Sequence, residues 1–171
     1  LPGLGNSIRV VVSNKHGDIY EPEYLQALQE VNDKLYLIPG VDRSWMRSLW
    51  MPIVRWKEVT EEGIDGGAVM PADYDVSEAS IDTLRHNIAR AGIVGSLVAN
   101  DARSSMIVAP LLDTNPQTGG PLNYGDFSRQ LEEQLRSMEN DRIGIHIVGF
   151  SKLVGDLIDG LYAVMLFFGA S

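Results

Sequence analysis

The residues best placed to do chemistry lie around Ser151, in the sequence Gly-Phe-Ser-Lys-Leu that ends at Leu153. A serine at a strand-to-helix turn can act as a nucleophile when glycines flank it and a histidine base is available. Leu153 occupies the second glycine position, and no histidine follows Ser151 in the chain. Serine also caps helices, because its hydroxyl accepts a hydrogen bond from the first helical amides. The sequence therefore predicts a helix cap at Ser151 and no enzymatic activity.

The sequence predicts neither a metal site nor a cofactor. The three histidines are far apart, and there is no cysteine. The acidic residues that follow Pro71 begin like a calcium-binding loop, but Glu78 stands where that loop needs glycine and Leu84 where it needs a bidentate glutamate. The glycine-rich motifs that hold nucleotide phosphates are also missing.

Three tryptophans are the candidate contacts for a hydrophobic ligand or a protein interface. Trp45, Trp50 and Trp56 fall within one short segment, which is interrupted by Pro52. Large amphipathic rings suit apolar ligands and interfaces, but they pack equally well in a core. Core packing is the usual role of a strand tryptophan, and the sequence leaves both roles open.

Composition favours one folded domain that does not bind nucleic acid. The chain has 171 residues, of which 44% are hydrophobic and 22% charged, so it can bury a substantial core. Its formal charge is -9 at pH 7, with a pI near 4.7. Contact with phosphates needs clustered lysine and arginine, and the sequence contains no such cluster.

The elements that would position these residues alternate between strands and helices. Runs of β-branched residues predict strands at 7–13, 93–99, 105–112 and 143–150. Spacings of three and four predict a helix from Pro22, a second capped by Ser77 or Asp75, and a third at 124–138. Segment 44–60 is strand-like, but Pro52 predicts a bent or edge pairing. Glycine and proline predict loops at 61–76 and 113–123.

Each predicted helix has a single apolar face, which must be covered by another layer of structure. The buried faces are predicted to be Tyr24, Leu25, Leu28, Val31, Asn32 and Leu35, then Ile81, Leu84, Ile88 and Ala91, then Phe127, Leu131, Leu135 and Met138. Strand-helix-strand occurs near both ends, with an extra helix and strand between. The order predicts an α+β, ferredoxin-like (split βαβ) sandwich with an additional helix and strand.

The end of the chain changes from amphipathic to entirely apolar. Lys152, Asp156 and Asp159 lie off an apolar stripe, whereas 161–171 contains no charged residue. A membrane span needs about 20 apolar residues, so this segment is about half of one. It is either a core helix or the start of a membrane helix.

Four segments of the chain form a recognisable series. They are Leu-Ile-Pro-Gly-Val-Asp-Arg from Leu37, Gly-Ile-Val-Gly-Ser-Leu-Val-Ala-Asn-Asp from Gly92, Asp-Thr-Asn-Pro-Gln-Thr-Gly from Asp113, and Ile-His-Ile-Val-Gly-Phe from Ile145 with Gly-Asp-Leu-Ile-Asp-Gly from Gly155. In this order they resemble the first large periplasmic loop of exporters in the resistance-nodulation-division (RND) superfamily. The resemblance covers nearly the whole chain and is closest to the MMPL-type and hydrophobe or amphiphile exporters.

This resemblance implies a porter-like periplasmic domain at 1–160 and the start of a truncated transmembrane helix at 161–171. The parent would be a proton-driven exporter of hydrophobic or amphiphilic compounds in the bacterial inner membrane, and this domain would contribute to the substrate passage or a docking surface. Implied partners are the second periplasmic loop and membrane helices of the same parent, its amphiphilic small-molecule substrates, and further copies in a homo-oligomer. The family's proton-coupling residues lie in membrane helices, outside this chain. The alternative is a soluble ferredoxin-like ligand-binding or regulatory module.

Overall fold

The computed structural model describes residues 7–149, and the predictions for Ser151, for the last helix and for 161–171 lie outside that range. Within it the chain forms three α-helices, five strands and one short 3-10 helix. In chain order they are β1 (Ser7–Asn14), α1 (Pro22–Leu37), the 3-10 helix (Arg43–Trp45), β2 (Arg55–Thr60), β3 (Gly63–Ala68), α2 (Glu78–Ala91), β4 (Ser104–Pro110), α3 (Tyr124–Arg136) and β5 (Ile143–Gly149).

A three-stranded antiparallel sheet lies at the centre of the fold, in the order β4-β1-β5. Because β4 and β5 both run antiparallel to β1, they are parallel to each other, and β1 lies between them. The connection from β4 to β5 contains α3, so these elements form a split βαβ unit. The α+β class and the split βαβ arrangement are confirmed.

The segment before Trp50 extends this sheet along the outer edge of β4. Arg47 and Val108 exchange two backbone hydrogen bonds of 2.9 and 2.8 Å, and the Asp42 amide donates to the Pro110 carbonyl at 2.7 Å. This pairing is antiparallel to β4 and limited to isolated bridges. The bridge at Arg47 is the edge pairing that the sequence predicts within 44–60, and it lies before Pro52.

The three helices begin and end at the signals that the sequence provides. Pro22 lies in the first turn of α1, and all six residues of its predicted stripe are buried. The Ser77 hydroxyl caps α2 by accepting from the Ser80 amide at 3.1 Å, and Gly92 ends α2 with φ of 68°. Asn123 caps α3 in the same way. Ala91 and Met138, predicted to be buried, are only partly covered.

The core lies between the sheet and the helices. On the central strand Val10 pairs with Ile107 on one side and Ile147 on the other, and all three side chains are buried. The buried Tyr24 hydroxyl donates to the Val12 carbonyl at 2.7 Å and lies 2.6 Å from the Ser105 hydroxyl. This pair of contacts ties α1 to both β1 and β4.

The prediction that 61–76 is a loop was wrong for Gly63–Ala68, which forms β3. It pairs antiparallel with β2, and Val59 lies opposite Ile64. Glycine is unfavourable in strands, so a segment that contains Gly66 and Gly67 is predicted from its composition to be a loop. Gly67 instead leaves room for the Trp56 indole, as described below.

The prediction of a strand at 93–99 was also wrong. The amides of Ser96, Leu97 and Val98 all donate to the Ile93 carbonyl, so the chain turns back on itself there. Val98 makes only isolated bridges, one of them to Ser105. Ile93 and Val98 are buried in irregular structure, because burial alone does not require a sheet ladder, and Val94 is exposed.

Candidate functional site

The structure places the three tryptophans in three different environments, and no ring contact within residues 7–149 joins two of them. Trp50 is a structural residue. Its indole N–H donates to the Leu25 carbonyl at 2.9 Å, and its ring meets Tyr74 edge-on, with centroids 5.5 Å apart. Both contacts fasten the segment after the 3-10 helix to the body of the domain.

Trp56 lies on the β2-β3 hairpin, against α2. The Arg90 guanidinium lies over the indole, and a Cβ at Gly67 would come within 3.1 Å of the indole nitrogen. The ring therefore has glycine on the paired strand and a cation from the helix as its close neighbours. These contacts give Trp56 the role of holding the hairpin on α2.

Trp45 alone among the three is largely exposed, with 63% of its surface accessible. Tyr36 and Leu37, at the end of α1, are 40% and 68% exposed. Arg43 connects the two places: its Nε donates to the Tyr36 carbonyl, and its guanidinium carbon lies 5.3 Å from the Tyr36 ring centroid. We call Tyr36, Leu37, Arg43 and Trp45 the Trp45 surface.

The backbone that carries the Trp45 surface is firmly held. The 3-10 helix is closed by the Trp45 amide donating to the Asp42 carbonyl at 3.1 Å, and the Asp42 amide is bonded to β4. Met46 follows directly and is fully buried. An exposed aromatic ring is thus presented by a short turn that is anchored on both sides.

The Trp45 surface combines apolar and cationic groups. Arg43 is exposed and, within residues 7–149, forms no ion pair, and the same is true of Arg47 two residues after Trp45. The Tyr36 ring beside the Arg43 guanidinium suits an amphiphile with an anionic head, or an acidic protein surface. Sequence reasoning found Trp45 but missed Tyr36 and Leu37, whose signal was that both lie off the buried stripe of α1.

The buried polar groups of the domain have structural roles. Ser48 donates to Asn32 at 2.7 Å, and Asn87 donates to the Val69 carbonyl at 2.9 Å. Burial raises the pKa of the Tyr24 phenol, which stays protonated and bonded to the sheet. These groups satisfy backbone and side-chain partners inside the core.

One concave region in this part of the chain is lined largely by polar and charged residues, namely Glu23, Gln26, Ala27, Glu30, Asn140, Arg142 and Ile143. No cluster of three or more histidine or acidic side chains within residues 7–149 is arranged to hold a metal ion. No helix in that range is both long and apolar enough to cross a membrane. The Trp45 surface is therefore the candidate site.

Comparison of the chain with protein-family models, with curated proteins and with solved structures gives no match.

Proposed function

We propose that this chain is the periplasmic domain of a proton-driven RND-superfamily exporter, and that its Trp45 surface contributes to the passage or docking surface for hydrophobic or amphiphilic compounds. The observation that carries the proposal is the exposure of Trp45, Tyr36 and Leu37, together with the contact of Arg43, from the Trp45 turn, with Tyr36. The α+β fold with its split βαβ unit and the four segments that resemble such exporters support it.

The physical argument starts from the cost of exposing these side chains to water. Burying apolar surface is favourable by roughly 25 cal/mol per Å², so an aromatic and an aliphatic side chain left outside favour contact with an apolar partner. Arg43 holds the Tyr36 ring in place and offers a cation beside it. Such a surface binds the apolar chain of an amphiphile and the anionic head together.

Binding of dodecanoate tests this role, with dodecyl maltoside as the uncharged comparison, both below their micelle concentrations. The Trp45→Ala variant should bind dodecanoate at least about tenfold more weakly, a loss that corresponds to about 1.4 kcal/mol. Ile53→Ala is the matched control, because Ile53 is also an exposed hydrophobic residue outside the Trp45 surface. Equal affinity of Trp45→Ala and the unchanged chain would overturn the proposed role of this surface.

The exporter assignment has a separate test in the parent reading frame. An extramembrane loop of this kind requires one apolar span of about 20 residues before residue 1 and a second that begins at 161–171 and continues beyond the chain. A parent frame without both spans would overturn the exporter assignment and favour the soluble ferredoxin-like ligand-binding or regulatory module. The dodecanoate experiment would still report on the surface itself.

A further inference from the structure

The β2-β3 hairpin carries the most exposed aliphatic residues of the described chain. Val59 and Ile64 lie directly opposite each other on the two strands and are 84% and 78% exposed. A two-residue turn, Glu61 and Glu62, joins the strands just beyond this pair. An isolated two-stranded ribbon buries little of its own surface, so its exposed pair is open to another molecule.

The two faces of this hairpin have different neighbours. Side chains alternate between the faces of a strand, so Trp56 and Glu58 share one face and Lys57 and Val59 the other. Trp56 and Glu58 both contact Arg90 of α2, which makes theirs the inner face. Lys57, Val59 and their cross-strand partners therefore form the outer face, directed away from α2.

The outer face follows a regular pattern along its length. Arg55 and Lys57 come first, then the apolar pair of Val59 and Ile64, then the acidic turn. Val59 is two residues from Lys57 and two from Glu61, about 7 Å along the strand in each direction. Within residues 7–149 none of these charged groups forms an ion pair.

Lys57 also has space beside it for a partner. Its cross-strand neighbour is Gly66, where an added Cβ would lie 2.9 Å from the Trp56 carbonyl oxygen. A side chain at this position would need the ribbon to shift. The glycine keeps the outer face flat next to the cation.

The geometry points to a second copy of this chain as the partner of the outer face. Two hairpins related by a two-fold axis through the apolar pair stack Val59 and Ile64 on the same residues of the other copy. Because the charges lie at equal distances on either side of the axis, Lys57 of each copy then faces the acidic turn of the other. A two-fold interface must be complementary to itself, and this pattern meets that requirement.

Charge complementarity favours a second copy over other partners. The acidic turn next to the apolar pair would be repelled by an anionic membrane surface, and the chain carries a formal charge of -9. A standard interface buries about 800 Å² on each partner, and the outer face of this two-stranded hairpin is smaller than that. Its association is therefore weak, concentration-dependent and reduced by salt. This proposed interface between two copies does not depend on the exporter function proposed above.

Sedimentation velocity of the 171-residue chain at increasing concentration tests this interface through two charge-reversed variants. Arg55→Glu with Lys57→Glu makes both ends of the outer face acidic, and Glu61→Lys with Glu62→Lys makes both ends basic. Each variant alone should sediment as a monomer at concentrations where the unchanged chain associates. An equimolar mixture should associate again, because the acidic end of one variant then faces the basic end of the other.

Lys34→Glu with Arg103→Glu is the matched control for the acidic variant, since it lowers the net charge by the same amount at exposed positions outside the hairpin. It should associate like the unchanged chain. Ile64→Glu, which places a charge at the axis, should abolish association without reversing any charge. The inference is overturned if the unchanged chain stays monomeric, if either charge-reversed variant associates alone, or if their mixture does not.

Discussion

The Arg90 guanidinium lies over the Trp56 indole, with its carbon 3.2 Å from the ring centroid. The same side chain donates to the Asn87 amide oxygen at 2.6 and 3.1 Å and to a Glu58 carboxylate oxygen at 3.2 Å. Asn87 in turn donates to the Val69 carbonyl, directly after the hairpin. Arg90 thus links α2 to β2, and Asn87 links α2 to Val69 directly after β3, which explains how a glycine-rich ribbon keeps its place.

Replacing Arg90 with alanine should loosen the hairpin while leaving the central sheet intact. The loss of the cation-π contact and its hydrogen bonds should cost about 1–2 kcal/mol, because the arginine is only partly exposed. Hydrogen exchange of the amides at 55–68 should become faster. Arg129→Ala is the control, since its ion pair with Asp126 is exposed and worth at most about 1 kcal/mol. Unchanged exchange at 55–68 would contradict the role given to Arg90.

A side chain at Gly67 should displace the Trp56 indole. A Cβ there would meet the indole Nε1 at 3.1 Å and Cε2 at 3.3 Å, so Gly67→Val forces the ring away from its place beside Arg90. Tryptophan emission should shift to longer wavelength, and the melting temperature should fall. Gly120→Ala should change neither property, because its Cβ meets only Thr118, at an ordinary 3.7 Å. A spectrum of Gly67→Val like that of the unchanged chain would count against this packing.

Removing the Tyr24 hydroxyl should destabilise the whole domain. In Tyr24→Phe the Val12 carbonyl and the Ser105 hydroxyl lose a buried partner, at a cost of about 1–3 kcal/mol in the free energy of unfolding. Urea unfolding measures this change. Tyr36→Phe, at an exposed position, should be close to neutral. If the two substitutions have equal effects, the hydrogen bonds of Tyr24 contribute little.

Tyr24 should also make stability depend on pH in the alkaline range. Burial raises the pKa of its phenol above the ordinary value of 10.0, so the folded state holds the proton more tightly than the unfolded state. Its contribution is complete below pH 10 and is lost as the pH rises through and beyond that value. Unfolding free energy measured across this range should fall less steeply in Tyr24→Phe. Parallel curves for the two proteins would contradict this assignment.

The sequence predicted the helices well because their signals are local. The stripe of α1 repeats at helical spacing, Ser77 and Gly92 cap the two ends of α2, and Asn123 caps the start of α3. Burial of one helix face depends on this spacing alone and needs no knowledge of the partner. The alternation of apolar residues in β5 is an equally local signal, and the strand predicted at 143–150 matches Ile143–Gly149.

The hairpin and the candidate site depend on contacts between distant parts of the chain. β3 is a strand because Gly67 accommodates Trp56 and α2 holds the ribbon, and neither contact is visible in the composition of Gly63–Ala68. The tryptophans were equivalent as a sequence pattern. Only Trp45 is exposed, because Met46 rather than the tryptophan fills the core at that turn.

The side of the membrane on which the Trp45 surface lies tests the central claim most directly. The chain has no cysteine, and Leu37 is 68% exposed, so Leu37→Cys in the full reading frame adds one accessible thiol to this domain. In cells with a permeabilised outer membrane, a thiol reagent that cannot cross the inner membrane should label peptides of this domain in the variant and not in the unchanged parent. Labelling of Leu37→Cys only after the inner membrane is broken would contradict a periplasmic exporter domain.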